Sequence, residues 1–246
     1  MSLATSSPAS LAKLINREQV AEGTTAFRFE KPSGWTFKAG QSMDMTLLEP
    51  SETDAEGNTR AFSIASAPHD EYLMVATRMR DTAFKRVLST MPLGTAVKIE
   101  GPFGNLTLHN NVAKTAVFLA GGIGITPFRS IVFRAAKEKL PHHIFLFYSN
   151  RRPEDAPFLE ELEALEGKNP NYNLIATMTE MQKSHRLWQG ETSLISKEML
   201  SRHVKDSASP IYYIAGPPGM VKGLHEMLIK AGVDDDDIRT EQFAGY

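Results

Sequence analysis

The sequence predicts two domains, an antiparallel β-barrel followed by an α/β domain built on a doubly wound parallel sheet. Three observations carry this. Short alternating runs separated by turn clusters fill the first hundred or so residues. After Gly101-Pro102-Phe103-Gly104 the rhythm changes to strand, loop, helix. Glycine-bearing loops then join an apolar run to a helical pattern twice, at residues 120–127 and 215–220. A chain of 246 residues is long enough for two such units.

Residues 1–12 are rich in Ser, Ala and Thr and lack a basic stretch before an apolar run, so they are expected to form a flexible N-terminus and not a signal peptide. The barrel is assigned to residues 13–109. Residues 25–29 (Thr-Ala-Phe-Arg-Phe) alternate as a half-buried strand does, and the pattern recurs at 42–48, 72–78 and 96–100. Turn clusters lie between, at 31–34, 51–59 and 67–70. One helix is expected at 82–90, where Ala83, Phe84, Val87 and Leu88 share a face. Residues 110–246 form the second domain. The apolar run 116–120 suits a buried parallel strand, with a helix at 128–140. Strands follow at 144–148, 174–179 and 210–215, with helices at 156–165, 196–200 and 219–231.

Composition excludes several functions. Hydrophobic residues are 41% and charged residues 23%, as in ordinary globular proteins. A net charge of −2 leaves no basic footprint for nucleic acid or an anionic membrane. With no cysteine there can be no disulfide, thiolate nucleophile, or cysteine-ligated zinc or iron–sulfur cluster. The longest apolar run, 116–125, is broken by Gly121, Gly122 and Gly124 and falls short of the ~20 residues of a membrane span. The expectation is a cytoplasmic protein with neither nucleic acid nor membrane as partner. His142-His143 has no carboxylate or third ligand nearby in sequence and is expected to be a solvent-exposed loop pair. The four aspartates 234–237 read as a solvated turn, their spacing being wrong for calcium. No metal site is expected.

The loop Gly121-Gly122-Ile123-Gly124-Ile125-Thr126-Pro127 sits between a strand and a helix, where glycines let backbone approach a phosphate and Pro127 suits the first helical turn. A plain tight turn accounts for it equally well. Arg60-Ala61-Phe62-Ser63 opens a strand and offers a guanidinium for a pyrophosphate, a ring to stack on an isoalloxazine and a hydroxyl for a ring nitrogen. An exposed arginine at a strand start is the alternative. Gly216-Pro217-Pro218-Gly219-Met220 places a second loop at the carboxyl edge of the sheet, where such folds bind ligands, or is simply another turn. Phe243 and Tyr246 put aromatics at a chain end, which implies that the end docks.

Taken in order, Arg-x-aromatic-Ser, Gly-Pro-Phe-Gly, Gly-Gly-x-Gly-x-Thr-Pro, Gly-Pro before a helix and Glu-x-aromatic near the end resemble the ferredoxin–NADP reductase superfamily, from about residue 13 to 246. The resemblance implies an FAD barrel followed by a nicotinamide domain. It implies that Arg60 faces the FAD pyrophosphate, Phe62 stacks on the isoalloxazine and Ser63 meets its N5 edge, with Ala61 between them. Thr77-Arg78-Met79 and Thr82-Ala83-Phe84-Lys85 look like a second FAD contact. Gly121, Gly122, Gly124 and Thr126 would line the nicotinamide nucleotide, with Gly216, Pro217 and Met220 at the second loop. Phe243 matches the aromatic that covers the other flavin face, and Glu241 a carboxylate beside it, so Ser63, Glu241 and Phe243 are the expected catalytic residues. Ser149 and Arg151 would lie at the adenosine ribose.

Three departures stand out: Phe62 replaces the family's tyrosine, Ala215 its frequent late cysteine, and Ala244-Gly245-Tyr246 extends past the terminal aromatic. The implied activity takes hydride from NADH or NADPH to FAD and passes electrons to a separate acceptor such as ferredoxin, flavodoxin, a haem protein or an oxygenase component. The alternative is a non-catalytic flavin or nucleotide module. Residues 177–180 (Thr-Met-Thr-Glu) end in a carboxylate where NADPH-using relatives commonly carry Ser-Arg. That favours NADH, while Arg151 and Arg152 argue the other way.

Overall fold

A computed structural model describes residues 9–204 and 209–243. Six antiparallel strands come first: β1 (Ser10–Ala21), β2 (Thr24–Glu30), β3 (Ser42–Leu47), β4 (Thr59–Ser63), β5 (Tyr72–Arg78) and β6 (Ala96–Phe103), in sheet order β4-β3-β6-β1-β2-β5. The sheet curls until its edges meet, for just past β4 the Ala65 amide donates to Met74 O of β5 at 2.7 Å. Strand alternation drives the closure by turning Phe27, Phe29, Met43, Met45, Leu73, Val75, Val97 and Ile99 into one core. Helix α1 (Ala83–Thr90) plugs that core with Ala83, Phe84, Val87 and Leu88, the face its sequence spacing predicts.

Five parallel strands follow: β7 (Ala116–Gly121), β8 (Ile144–Asn150), β9 (Tyr172–Met178), β10 (Ile211–Gly216) and β11 (Ile238–Gln242), in order β11-β10-β7-β8-β9. Helices α2 (Ile125–Glu138) and α3 (Leu159–Glu166) cover one face, α4 (Lys197–His203) and α5 (Pro218–Lys230) the other. Strand order reverses between β7 and β10. In such sheets that reversal opens a crevice at the carboxyl ends of the two strands.

Two strands depart from the sequence reading. β1 starts at Ser10, inside the stretch expected to be flexible, and only Ala12 and Leu14 of its twelve residues are buried. Its apolar residues do not alternate regularly with polar ones over its length, which hides it from a periodicity search; pairing with β2 and β6 makes it a strand. β11, with the polar sequence IRTEQ, is likewise held by its parallel ladder to β10 and not by any apolar pattern.

The two domains share a seam held by directional bonds. Arg129 of α2 is buried between the rings of Phe133 and Phe158, with its guanidinium carbon 4.5 and 4.9 Å from their centroids. It pairs with Glu161 and donates to Ala65 O at 2.7 Å, while Ser130 Oγ donates to Ser66 O at 2.6 Å. Burying a cation stabilises the fold only when its donors are satisfied. Here Nε and Nη2 are held by Glu161 within the same domain, and Nη1 alone reaches across to the barrel. Arg152 adds a second tie, to Glu22 at 2.7 Å and Asp155 at 2.8 Å.

The expectation of solvent-exposed histidines at 142–143 is corrected: His142 is buried. Its Nε2 donates to His109 O at 2.9 Å. The His109 amide donates to Tyr213 Oη at 2.9 Å, which leaves the hydroxyl proton for His109 Nδ1 at 2.8 Å and His109 Nε2–H for Lys114 O at 2.9 Å. This network needs both rings neutral. Burial, the leading cause, pulls both histidines below their ordinary range. The folded protein therefore refuses protons that the unfolded chain accepts below pH ~6.5. Stability should be fully present above that pH and fall as pH drops through it. Denaturant unfolding at about pH 7.5 and about pH 5.5 should show the loss. His142→Gln should shrink the difference between the two.

Candidate functional site

The barrel and the β7 end enclose a cleft of about 400 Å³. Its barrel wall comes from β4, which contributes Arg60, Ala61, Phe62 and Ser63, and from β5, which contributes Ala76, Thr77 and Arg78. Phe62 lies over the buried Phe84, with centroids 5.9 Å apart, so the core beneath fixes its ring. Thr82 caps α1, its Oγ1 accepting from the Lys85 amide at 3.4 Å. Of the expected second contact, Thr77, Arg78, Thr82 and Lys85 line the cleft, whereas Met79, Ala83 and Phe84 pack toward the barrel core. Glu56, Ala76, Arg80 and Ile123 also line it, and sequence reading missed them because cleft exposure has no one-dimensional signature. Lys85 Nζ donates to Arg78 O at 2.7 Å. Burial first, then Arg80 and Arg60, lower the Lys85 pKa.

Arg60 is not free in the cleft. Its Nη1 donates to the carbonyls of Glu56, Gly57 and Thr59 at 2.8 to 2.9 Å, and its Nη2 lies 2.9 Å from Glu56 Oε2 and 3.4 Å from Asp54 Oδ1. The first backbone amide of α1, on Ala83, donates to Asp54 Oδ2 at 3.1 Å.

The far wall is the switch point. Gly121 ends β7, a short 3-10 turn covers Gly122–Gly124, and α2 follows. A Cβ on Gly124 would lie 2.2 Å from Ala215 O, and one on Gly216 would lie 3.2 Å from Gly121 Cα. A Cβ on Gly121 would meet Met220 Sδ at 2.3 Å. At Gly124, and more mildly at Gly216, the obstacle is backbone of the facing loop, whereas at Gly121 it is the movable Met220 side chain. Ile123 and Thr126 are the residues of the loop that reach the cleft, with Thr126 Oγ1 donating to Ile123 O at 3.0 Å. Ser149 sits at the end of β8, beside Gly121 and Thr177. Arg151 is 77% exposed and 3.9 Å from Glu180, whose carboxylate Lys183 also holds at 2.6 Å. Arg152 is consumed by the seam. Tyr246 lies outside the described residues.

The ladder to β10 carries β11 across the switch point. Glu241 stands opposite Ala215, and the Phe243 amide donates to Gly216 O at 3.0 Å. Phe243 thereby enters the cleft. Ser63 Oγ of the barrel donates to Glu241 Oε1 at 3.0 Å across the domain boundary. Burial raises the Glu241 pKa and the Ser63 bond opposes it.

The donor chemistry of the cleft fits FAD. Arg60, Arg78, Arg80 and Lys85 outnumber the single carboxylate Glu56 among the lining residues, as a dianionic diphosphate requires. Phe62 and Phe243 supply aromatic faces, and the Ser63–Glu241 pair offers polar atoms to a ring edge. Among the described residues no cluster could hold a metal ion, and no helix is long and apolar enough to cross a membrane.

Residues 118–226 match the family described as oxidoreductase NAD-binding domain. The chain is 28% identical over 202 residues to a subunit of the Na(+)-translocating NADH-quinone reductase of Methylococcus capsulatus, covering 76% of this chain and 49% of that one. It is 26% identical over 223 residues to the glycine betaine monooxygenase reductase subunit of Chromohalobacter salexigens, covering 89% and 60%. The chain thus spans about half the length of the NADH-quinone reductase relatives it matches. Its fold superposes with a TM-score of 0.77 on the Neisseria gonorrhoeae ferredoxin NADP+ reductase with bound FAD and NADP, at 20% identity, covering 96% of this chain and 99% of that one.

Two outcomes follow from the geometry. Ser63→Ala removes the bond that offsets desolvation of Glu241, so its carboxyl should titrate higher still; carbon-detected NMR of the side chain reads this directly. Gly124→Ala drives a methyl into the Ala215 carbonyl and should lower stability by about 1–3 kcal/mol, seen as a lower denaturation midpoint.

Proposed function

We propose that this chain, a member of the ferredoxin–NADP reductase superfamily, is an FAD-dependent oxidoreductase that takes hydride from NAD(P)H and passes electrons to a separate acceptor. One observation carries the reading: the Ser63–Glu241 bond joins the two domains inside a cleft lined by Phe62 and Phe243. A barrel residue and a nucleotide-domain residue meet where a flavin ring edge and a nicotinamide would have to meet.

FAD, when bound, supplies the chemistry that couples a two-electron donor to one-electron acceptors. Phe62 supports one face of the ring, and Arg78, Arg80, Lys85 and Thr82 hold the diphosphate end. Ser63 and Glu241 act as a unit. The half-buried carboxyl, raised in pKa, holds a proton more readily than an exposed glutamate, and the Ser63 hydroxyl supports its ionised form by donating to it. To pass a proton toward the cleft, that hydroxyl must turn to accept from the protonated carboxyl as it gives up its own hydrogen. Phe243 covers the second face and must swing aside for the nicotinamide. Its ring is partly buried against the core of the nucleotide domain, on a backbone anchored at Gly216, and lines the cleft, so the swing exchanges that packing for contact with the nicotinamide.

The nicotinamide nucleotide extends from Thr126 along the carboxyl edge of the parallel sheet toward Ser149 and Glu180. Glu180, kept ionised by Lys183, favours a ribose diol over a 2′-phosphate, and with Arg152 committed to Glu22 and Asp155 the preference goes to NADH. The acceptor is a separate protein or small molecule, in the class of ferredoxin, flavodoxin, a haem protein or an oxygenase component. The names of the two relatives, one from a quinone reductase and one from a monooxygenase system, fit that role.

The purified protein should be yellow, and anaerobic NADH should bleach it. A colourless protein, or a yellow one inert to both nicotinamides, overturns the reading in favour of a non-catalytic module. Phe243→Ser should tighten nicotinamide binding severalfold, because an aromatic contact contributes only about 0.5–1.5 kcal/mol beyond burial. The ratio of kcat/KM for the two nicotinamides should favour NADH; a ratio of about tenfold for NADPH, ~1.4 kcal/mol, would assign the ribose to Arg151 instead.

A further inference from the structure

Resting on the flavin reading, we infer that the acidic loop between β3 and β4 is a tethered competitor for the flavin diphosphate. The barrel wall offers a diphosphate two donors side by side, the Arg60 guanidinium and the Ala83 amide at the head of α1. One short segment takes both. Asp54 bridges them, with Oδ2 on the Ala83 amide at 3.1 Å and Oδ1 3.4 Å from Arg60 Nη2. Glu56 Oε2 sits 2.9 Å from the same Nη2. Two carboxylates thus present two negative charges to the donors that two phosphates would use.

The segment is built to let go. Its ends are pinned, Glu52 by two bonds to Arg86 at 2.9 and 2.6 Å, and Asn58 by its side-chain amide on Leu47 O at 2.9 Å. Between them Gly57 takes a left-handed φ of 72° with open space around its Cα. The Glu56 side chain is 71% exposed. Because that carboxylate is exposed, its pair with Arg60 contributes little and is screened by salt, while the Asp54 and Arg60 side chains are partly buried. A ligand with equal charge and further partners at Arg80, Lys85 and Thr82 displaces the Glu56 carboxylate first and Asp54 with it. Flavin affinity is then lowered by the fraction of molecules in which the loop holds the seat.

The test uses the full chain stripped of flavin and titrated at low ionic strength with FAD, ADP and riboflavin. Glu56→Gln should tighten FAD and ADP by about two- to fivefold, as expected for an exposed ion pair, and leave riboflavin, which has no phosphate, unchanged. Asp54→Ala should act in the same direction. Because it also uncaps Ala83, Glu56→Gln is the deciding variant. Amide exchange at residues 54–57 of the unmodified chain should rise when FAD is added, as the loop leaves. Unchanged or weaker FAD binding by Glu56→Gln, or a loop that stays protected with FAD bound, overturns the inference while leaving the flavin reading intact. Failure of every form to bind FAD overturns both.

Discussion

The carboxyl ends of β7 and β10 lie closer together than side chains allow, and most of the site depends on that approach. Gly121, Gly124 and Gly216 make it possible, since a Cβ at Gly124 would enter a backbone carbonyl. With the two loops in contact, β11 can pair with β10 and run on to Glu241 and Phe243. A parallel edge strand with a polar sequence has no burial of its own to hold it. It stays because its ladder is complete and because Phe243 packs against the core of the nucleotide domain.

The second dependence is the seam. A cleft shared by two domains keeps its shape only if the domains keep their relation, and here buried charge fixes it. Arg129 cannot leave its place between two rings without exposing unpaired donors and stranding Ala65 O and Glu161. Its directional bonds set the orientation of α2 against the barrel, which sliding apolar surfaces would not. The neutral histidine–tyrosine network in the connecting segment does the same on the other side of β7, linking His109 to β10 through Tyr213.

Within this frame the cleft divides its labour by polarity. The α1 end is cationic, and the β11 end holds a half-buried acid whose charged form is supported by a serine hydroxyl. The carboxylates of Asp54 and Glu56 sit at the cationic end, on Arg60, and the Ser63–Glu241 pair lies at the other.

The sequence by itself determined the architecture, because period-two alternation, continuous apolar runs and glycines at strand–helix junctions are local consequences of strand and helix geometry. It located the strands 25–29, 42–48 and 72–78, the α1 face and the order of the motifs from Arg60 to Phe243. It could not find β1, whose apolar residues lack a regular alternation, or β11, whose residues are mostly polar; pairing with β2 and β6 makes the first a strand and the distant β10 the second. It misplaced His142, since burial of a loop histidine depends on what folds over it. It left Arg60 open between a phosphate partner and an exposed strand-start residue, and Arg152 between a phosphate partner and a solvated one; the fold ties the first to its own loop and the second to the seam. Residue type announces what a side chain can bind. Only the folded chain decides which partner reaches it, because that depends on distances between segments that no local pattern encodes.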